Sequence, residues 1–136
     1  MATITETPLQ VKAAVPSLTC NDLNKSIQFY EALGFAIEER WEEDGKLRGA
    51  MLRAGNARLG LDQDDWKKGR DRVKGAGMRL WFATTQDIDT LARRAKSNGV
   101  KLTREPYNEW GMHGFDVTDP DGFLLSISTE PDKSST

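Results

Sequence analysis

Few residues in this 136-residue chain could do chemistry together. His113 is the sole histidine, with Glu109 four positions before it. An imidazole titrates near neutrality, so His113 with Glu109 or with Asp62 would make an acid–base pair. Asp62, Asp64 and Asp65 would hold a hard cation in an all-oxygen site, or form a hydrated loop at a strand end. Cys20, the only cysteine, reads as a small buried hydrophobe, and no internal disulfide is possible. No Ser-His-Asp or Cys-His arrangement is legible from spacing, and no phosphate-cradling glycine loop occurs. One histidine also excludes a two-histidine metal site within a single chain.

The elements that must position these residues are legible from periodicity. Two apolar runs, 115–117 and 123–127, flank Asp119-Pro120-Asp121-Gly122, which predicts a closing β-hairpin. A first strand lies within 12–20, with Pro16 placing it at a sheet edge. Asn21-Asp22 opens a helix whose stripe is Leu23, Ile27, Tyr30 and Leu33, and Gly34 ends it. Strands at 35–41, 46–53 and 57–62 follow. The mixed-charge segment 63–77 is a connector, whose Trp66 is a hook onto the body or a partner, or a lid over a pocket. Then the pattern recurs: a strand at 78–84, a helix from Asp87 bearing Ile88, Leu91, Ala92 and Ala95, a Gly99 cap, a strand at 100–105, and the hairpin.

Overlaying Asp22 on Asp87 at an offset of 65 puts Leu23 on Ile88 and Gly34 on Gly99. At 66, Leu59-Gly60-Leu61 falls on Leu125-Ser126-Ile127. This is an internal duplication of a β-α-β-β-β unit, neither half of which buries its sheet face alone. The expectation is one α+β domain over 11–130, with module one at about 13–62, module two at about 78–129, and flexible ends at 1–10 and 130–136. A net charge of -2 with 29% charged residues offers no basic excess for a nucleic-acid backbone. No signal-peptide pattern or apolar run of spanning length is present, and a cytoplasmic setting without membrane contact is expected.

The Asn21-Asp22-Leu23 strand end, the helix segment Ser26-Ile-Gln-Phe-Tyr-Glu-Ala-Leu-Gly-Phe35, and the late Trp110-Gly111 with Asp119-Pro-Asp-Gly122 resemble the vicinal oxygen chelate superfamily. That superfamily holds glyoxalase I, extradiol dioxygenases, fosfomycin-resistance enzymes and bleomycin-resistance proteins. The resemblance implies paired βαβββ modules curled around a cleft, usually completed in a homodimer. It also implies metal-ligand positions on the first and last strands of each module. Counted seven residues before each helix cap, the first-strand positions fall on Val15 and Leu80, and the last strands offer Gly60 and Ser126. Valine, leucine and glycine have no side-chain donor and a lone serine is a poor ligand, so no metal and no cofactor are expected.

Strand alternation then names a cleft lining: Val15, Ser17, Arg58, Gly60 and Asp62 from module one, and Leu80, Phe82 and Ser126 from module two, with Trp81 turned to the core. Met51 and His113 join that lining. Trp41 and Trp110 are its walls, or else fill a core or dimer seam; the resemblance favours walls, since metal-free bleomycin-resistance members hold ligand between aromatic groups. Three readings follow. One is a homodimeric, metal-independent small-molecule-binding protein of the resistance or sequestration type. Another is an enzyme of the superfamily using an atypical metal or His113 with Glu109 or Asp62. The third is a structural or regulatory module with its cleft filled by Phe82 or Met51.

Overall fold

A computed structural model describes residues 7–65 and 72–131. The order is β1 (Ser17–Cys20), α1 (Leu23–Leu33), β2 (Ala36–Glu43), β3 (Lys46–Ala54), β4 (Ala57–Gln63), β5 (Arg79–Ala83), α2 (Ile88–Ser97), β6 (Leu102–Glu109), β7 (Met112–Thr118) and β8 (Leu124–Ser128). Two four-stranded sheets have matching orders, β1-β4-β3-β2 and β5-β8-β7-β6. In each, the outer pair β1·β4 or β5·β8 is parallel and the rest antiparallel. The fold is thus α+β, two βαβββ modules. Trp66 and the ends 1–6 and 132–136 lie outside the described residues.

Each helix starts where its aspartate demands. Asp22 accepts the Lys25 N–H and Asp87 the Thr90 N–H, caps worth about 1 kcal/mol each. Gly34, at φ 123°, turns the chain out of α1 and donates its N–H to Tyr30 and Glu31 carbonyls. β1 begins at Ser17, five residues later than the first expected position. Pro16 has no N–H for a ladder, though its carbonyl accepts from Gly60 N at 2.8 Å. Val15 therefore lies outside the strand and is exposed. β6 runs on to Glu109 because Pro106 sits in an edge strand, where the register slips between Arg104 and Tyr107.

One core joins both modules. Leu18, Leu59 and Leu61 from the first sheet meet Phe115, Val117 and Leu125 from the second, with Tyr30 and Ile88 from the helices, all fully buried. Phe35 and Phe82 pack edge to face across the module boundary at 5.5 Å. Each helix covers one face of its sheet, so the opposite face of each sheet is left open.

Candidate functional site

On the open face of the first sheet, Ser17, Gly60, Met51 and Glu39 stand opposite one another across four strands. Leu59 and Leu61 point to the helices, so this row points away from them. Trp41 lies opposite Gly49, and its ring rests over that glycine. A Cβ on Gly49 would stand 2.9 Å from Trp41 Cε3 and 3.1 Å from Asp62 Oδ1. Gly60 likewise brings Ser17 Oγ within 3.1 Å of where its Cβ would be. The glycines make a depression beneath Trp41 and Met51, edged by Ser17 Oγ and Asp62 Oδ1. Arg58, on the same face, is tied to Glu38 at 2.9 Å, which also binds Arg53.

The corresponding row of the second sheet is Trp81, Ser126, Asp116 and Arg104. Its character is polar. Asp116 is 6% exposed and accepts the Tyr107 hydroxyl at 3.0 Å. Ser126 is 5% exposed, and its Oγ has no hydrogen-bond partner among the described residues. Arg104 stacks over Tyr107 at 4.1 Å and forms a two-pronged pair with exposed Glu109. Burial, and then the bond to Asp116, push the Tyr107 phenol above its ordinary pKa. Trp81 is half exposed and donates its indole N–H to Ser128 Oγ at 2.7 Å.

Three expectations on β5 are reversed here. Leu80 and Phe82, expected in the cleft, stand opposite Leu125 and Ile127 and pack into the core, while Trp81, expected in the core, faces out. The cause is one extra residue between β5 and α2. Ser17 opposite Gly60 matches Trp81 opposite Ser126, a strand offset of 64, whereas the helix caps differ by 65. A one-residue slip turns every side chain of a strand to the other face. The position matching Val15 is thus Arg79 rather than Leu80. Arg104, Tyr107 and Asp116 were not singled out by the sequence, although Asp116 inside an apolar strand pattern was a signal.

Residues 11–127 match the Glyoxalase/Bleomycin resistance protein/Dioxygenase superfamily. The chain belongs to that superfamily. It is 30% identical to a bleomycin resistance protein of Klebsiella pneumoniae over 128 residues, covering 84% of this chain and 89% of the relative. Among solved structures, a protein from the mobile metagenome of V. Pseudocholerae superposes with a TM-score of 0.69 at 22% identity, covering 93% of this chain and all of that one. A bleomycin-binding protein complexed with bleomycin superposes at 0.63 with 23% identity, over 88% of this chain and 99% of the other.

The metal-ligand positions that the resemblance implies lie on or just before the first strand and on the last strand of each module. Here those positions are Val15, Gly60, Arg79 and Ser126, which supply two side chains without a donor, a cationic guanidinium and one hydroxyl. They do not fit a divalent ion. Among the described residues, no three His, Cys, Asp or Glu side chains are grouped to hold one. Asp64 is instead engaged by Arg72 at 2.7 Å and Lys74 at 3.1 Å, and Asp65 by Arg48 at 2.8 Å.

The acid–base pairs are not assembled either. His113 Nε2 meets Asp89 Oδ1 at 3.0 Å, and Nδ1 faces the Tyr107 carbonyl and Asn108 Oδ1 at 3.0 and 2.9 Å. Glu109 is taken by Arg104, and Asp62 is on the other sheet. His113 thus ties the β6–β7 hairpin to α2. Beyond it, Trp110 stands at the hairpin tip, 87% exposed and with φ 54°. Trp110–Gly111 is the two-residue turn of this hairpin, as Asp44–Gly45 is in module one with φ 52° and 76°, and such a backbone costs a bulky residue about 1 kcal/mol or more. Trp41, 39% exposed, also presents its face to solvent, so neither tryptophan fills the core. Cys20 is fully buried, and burial pushes its thiol up to about 12, so it is inert.

Proposed function

We propose that this protein binds a small, flat, partly apolar molecule and sequesters it without metal or turnover. The observation that carries the reading is the pair of open sheet faces. One is a depression under Trp41 and Met51 edged by Ser17 and Asp62, the other a polar row beside Trp81, and among the described residues neither has a metal-ligand set. Complementarity alone suffices for sequestration, since no transition state has to be stabilised. The relation to the Klebsiella resistance protein supports this reading and makes bleomycin the first ligand to try.

Each face is shallow by itself, and a binding cleft buries most of its ligand. In the proposed assembly, two copies close the first sheet of one over the second sheet of the other, giving two clefts per homodimer. Trp110 at its hairpin tip then serves as a wall beside Trp41. Phe82 is turned from the open face of its sheet and packs half-buried against the core, which speaks against its filling that cleft. A cytoplasmic location suits a sequestering protein whose single thiol is unpaired; among the described residues no helix is long and apolar enough to cross a membrane.

Titration calorimetry with bleomycin, with and without chelator, tests this function. One ligand per cleft with an affinity unchanged by chelator is the expected result. Binding that disappears with chelator and returns with a divalent ion overturns metal independence, and measurable turnover overturns sequestration. Sedimentation of the same sample is expected to show a dimer.

A further inference from the structure

The two open faces are equivalent in topology and differ in chemistry. Register sets Ser17, Gly60, Met51 and Glu39 against Trp81, Ser126, Asp116 and Arg104. Asp116, the counterpart of Met51, puts a carboxylate at 6% exposure where the first sheet has a thioether. A carboxylate offers about four lone-pair sites. Among the described residues the one hydrogen bond the Asp116 side chain accepts comes from the Tyr107 hydroxyl, which brings no positive charge. The guanidinium of Arg104, opposite Asp116 in the register and near enough to feel its charge, is stacked on Tyr107 and forked onto Glu109, so its hydrogen bonds go elsewhere. Immediately beside Asp116, the Ser126 hydroxyl is buried and has no hydrogen-bond partner among the described residues. Leaving a buried polar group unmatched costs about 1–3 kcal/mol, which folding tolerates where a ligand supplies the partner.

From this juxtaposition of buried Asp116, unpartnered Ser126 Oγ and the half-exposed Trp81 ring, we propose that the second sheet selects a ligand bearing a cationic N–H group, an amidinium or ammonium. The inference rests on the binding reading above and names the chemistry of its ligand. The N–H groups donate to Asp116, the Ser126 hydroxyl accepts one more, and the cation lies against Trp81, a geometry that cation–π attraction favours. Access is through Tyr107 and Arg104. The Arg104–Glu109 pair that holds them is exposed on both sides, and such pairs resist displacement weakly. The apolar remainder of the ligand would extend toward the first sheet of the opposing copy.

The probe is benzamidine, with benzamide as its neutral isostere, followed on the Trp81 indole N–H resonance of the full-length protein. Benzamidine is expected to bind at least about tenfold more tightly, a difference of about 1.4 kcal/mol. Asp116→Asn should abolish that preference, and Ser126→Ala should weaken benzamidine while the protein stays folded. Equal affinity for the two probes in the unaltered protein overturns the proposal without reliance on any variant. So does a preference that survives Asp116→Asn. Bleomycin titrated into the same sample separates the two readings. Bleomycin binding with no probe preference removes cation selection and leaves sequestration standing, whereas probe preference without bleomycin binding supports cation selection and removes bleomycin as the ligand. Failure of both overturns both.

Discussion

Tyr30 on α1 donates its phenolic hydrogen to Asp119 Oδ2 at 2.7 Å, across 89 positions of the chain. Tyr30 belongs to module one and Asp119 to the β7–β8 turn of module two. The same turn sends Asp121 to Asn21 N at 2.9 Å and to the Ser26 hydroxyl at 3.2 Å. Gly75 of the connector passes so close that a Cβ there would stand 2.2 Å from the Gly122 carbonyl carbon. The Asp-Pro-Asp-Gly turn therefore does more than reverse the chain: its carboxylates latch the two modules together.

Tyr30→Phe removes one hydrogen bond inside that latch and leaves Asp119 Oδ2 buried without its donor. Among the described residues Asp119 then keeps the Asp121 and Phe123 N–H bonds, both to Oδ1 at 2.9 Å. The expected loss is about 1–3 kcal/mol in urea unfolding, with ligand affinity per folded molecule unchanged. A loss below about 0.5 kcal/mol would show that the latch contributes little.

The latch also predicts a pH dependence. Burial raises the Asp119 pKa above the ordinary carboxylate range, against the lowering effect of its hydrogen bonds. A group whose folded pKa exceeds its unfolded value contributes stability that is full below the unfolded pKa and is lost as pH rises through the folded one. The unaltered protein should therefore gain stability relative to Asp119→Asn as pH falls from neutral through that raised range. The gain should level off near the ordinary value of about 4. Unfolding free energies of both proteins at matched pH give the difference, and a difference that grows toward alkaline pH would contradict the sign.

Trp110→Ala is expected to weaken bleomycin binding while changing stability by less than about 0.5 kcal/mol, because an 87%-exposed side chain contributes little packing. Trp110→Gly should lose the same affinity and be more stable than the alanine variant by about 1 kcal/mol, since φ 54° suits glycine. Calorimetry and thermal unfolding on the three proteins separate the two effects. Unchanged affinity would remove Trp110 from the cleft.

How far the sequence reaches is visible on β5. The caps Asp22 and Asp87, the helix stripes and the closing hairpin were legible because each is a local pattern with a local cause. The facing of Leu80, Trp81 and Phe82 was not. It depends on the loop between Ala83 and Asp87 being one residue longer than its counterpart in module one, and Leu-Trp-Phe is apolar on both faces, so alternation gives no sign of the slip. The Asp116–Ser126 pair was missed for a related reason. It forms by cross-strand register, and the two residues are adjacent only after β7 and β8 have paired.

Gly49→Ala tests whether the first-sheet half of the site depends on the resting place of Trp41. The new methyl would meet Cε3 at 2.9 Å, and the atoms it displaces belong to an exposed ring that can swing outward, although Asp62 Oδ1 and the Leu61 carbonyl, both at 3.1 Å, crowd the other side. Overpacking of a closed core costs about 1–3 kcal/mol, and the mobile ring should keep this variant at or below the low end. Its affinity for bleomycin should nonetheless fall, by an amount comparable to Trp41→Ala, and the double variant should fall no further than either alone. Additive losses would mean that Gly49 and Trp41 act separately and that the depression between them is not where the ligand lies.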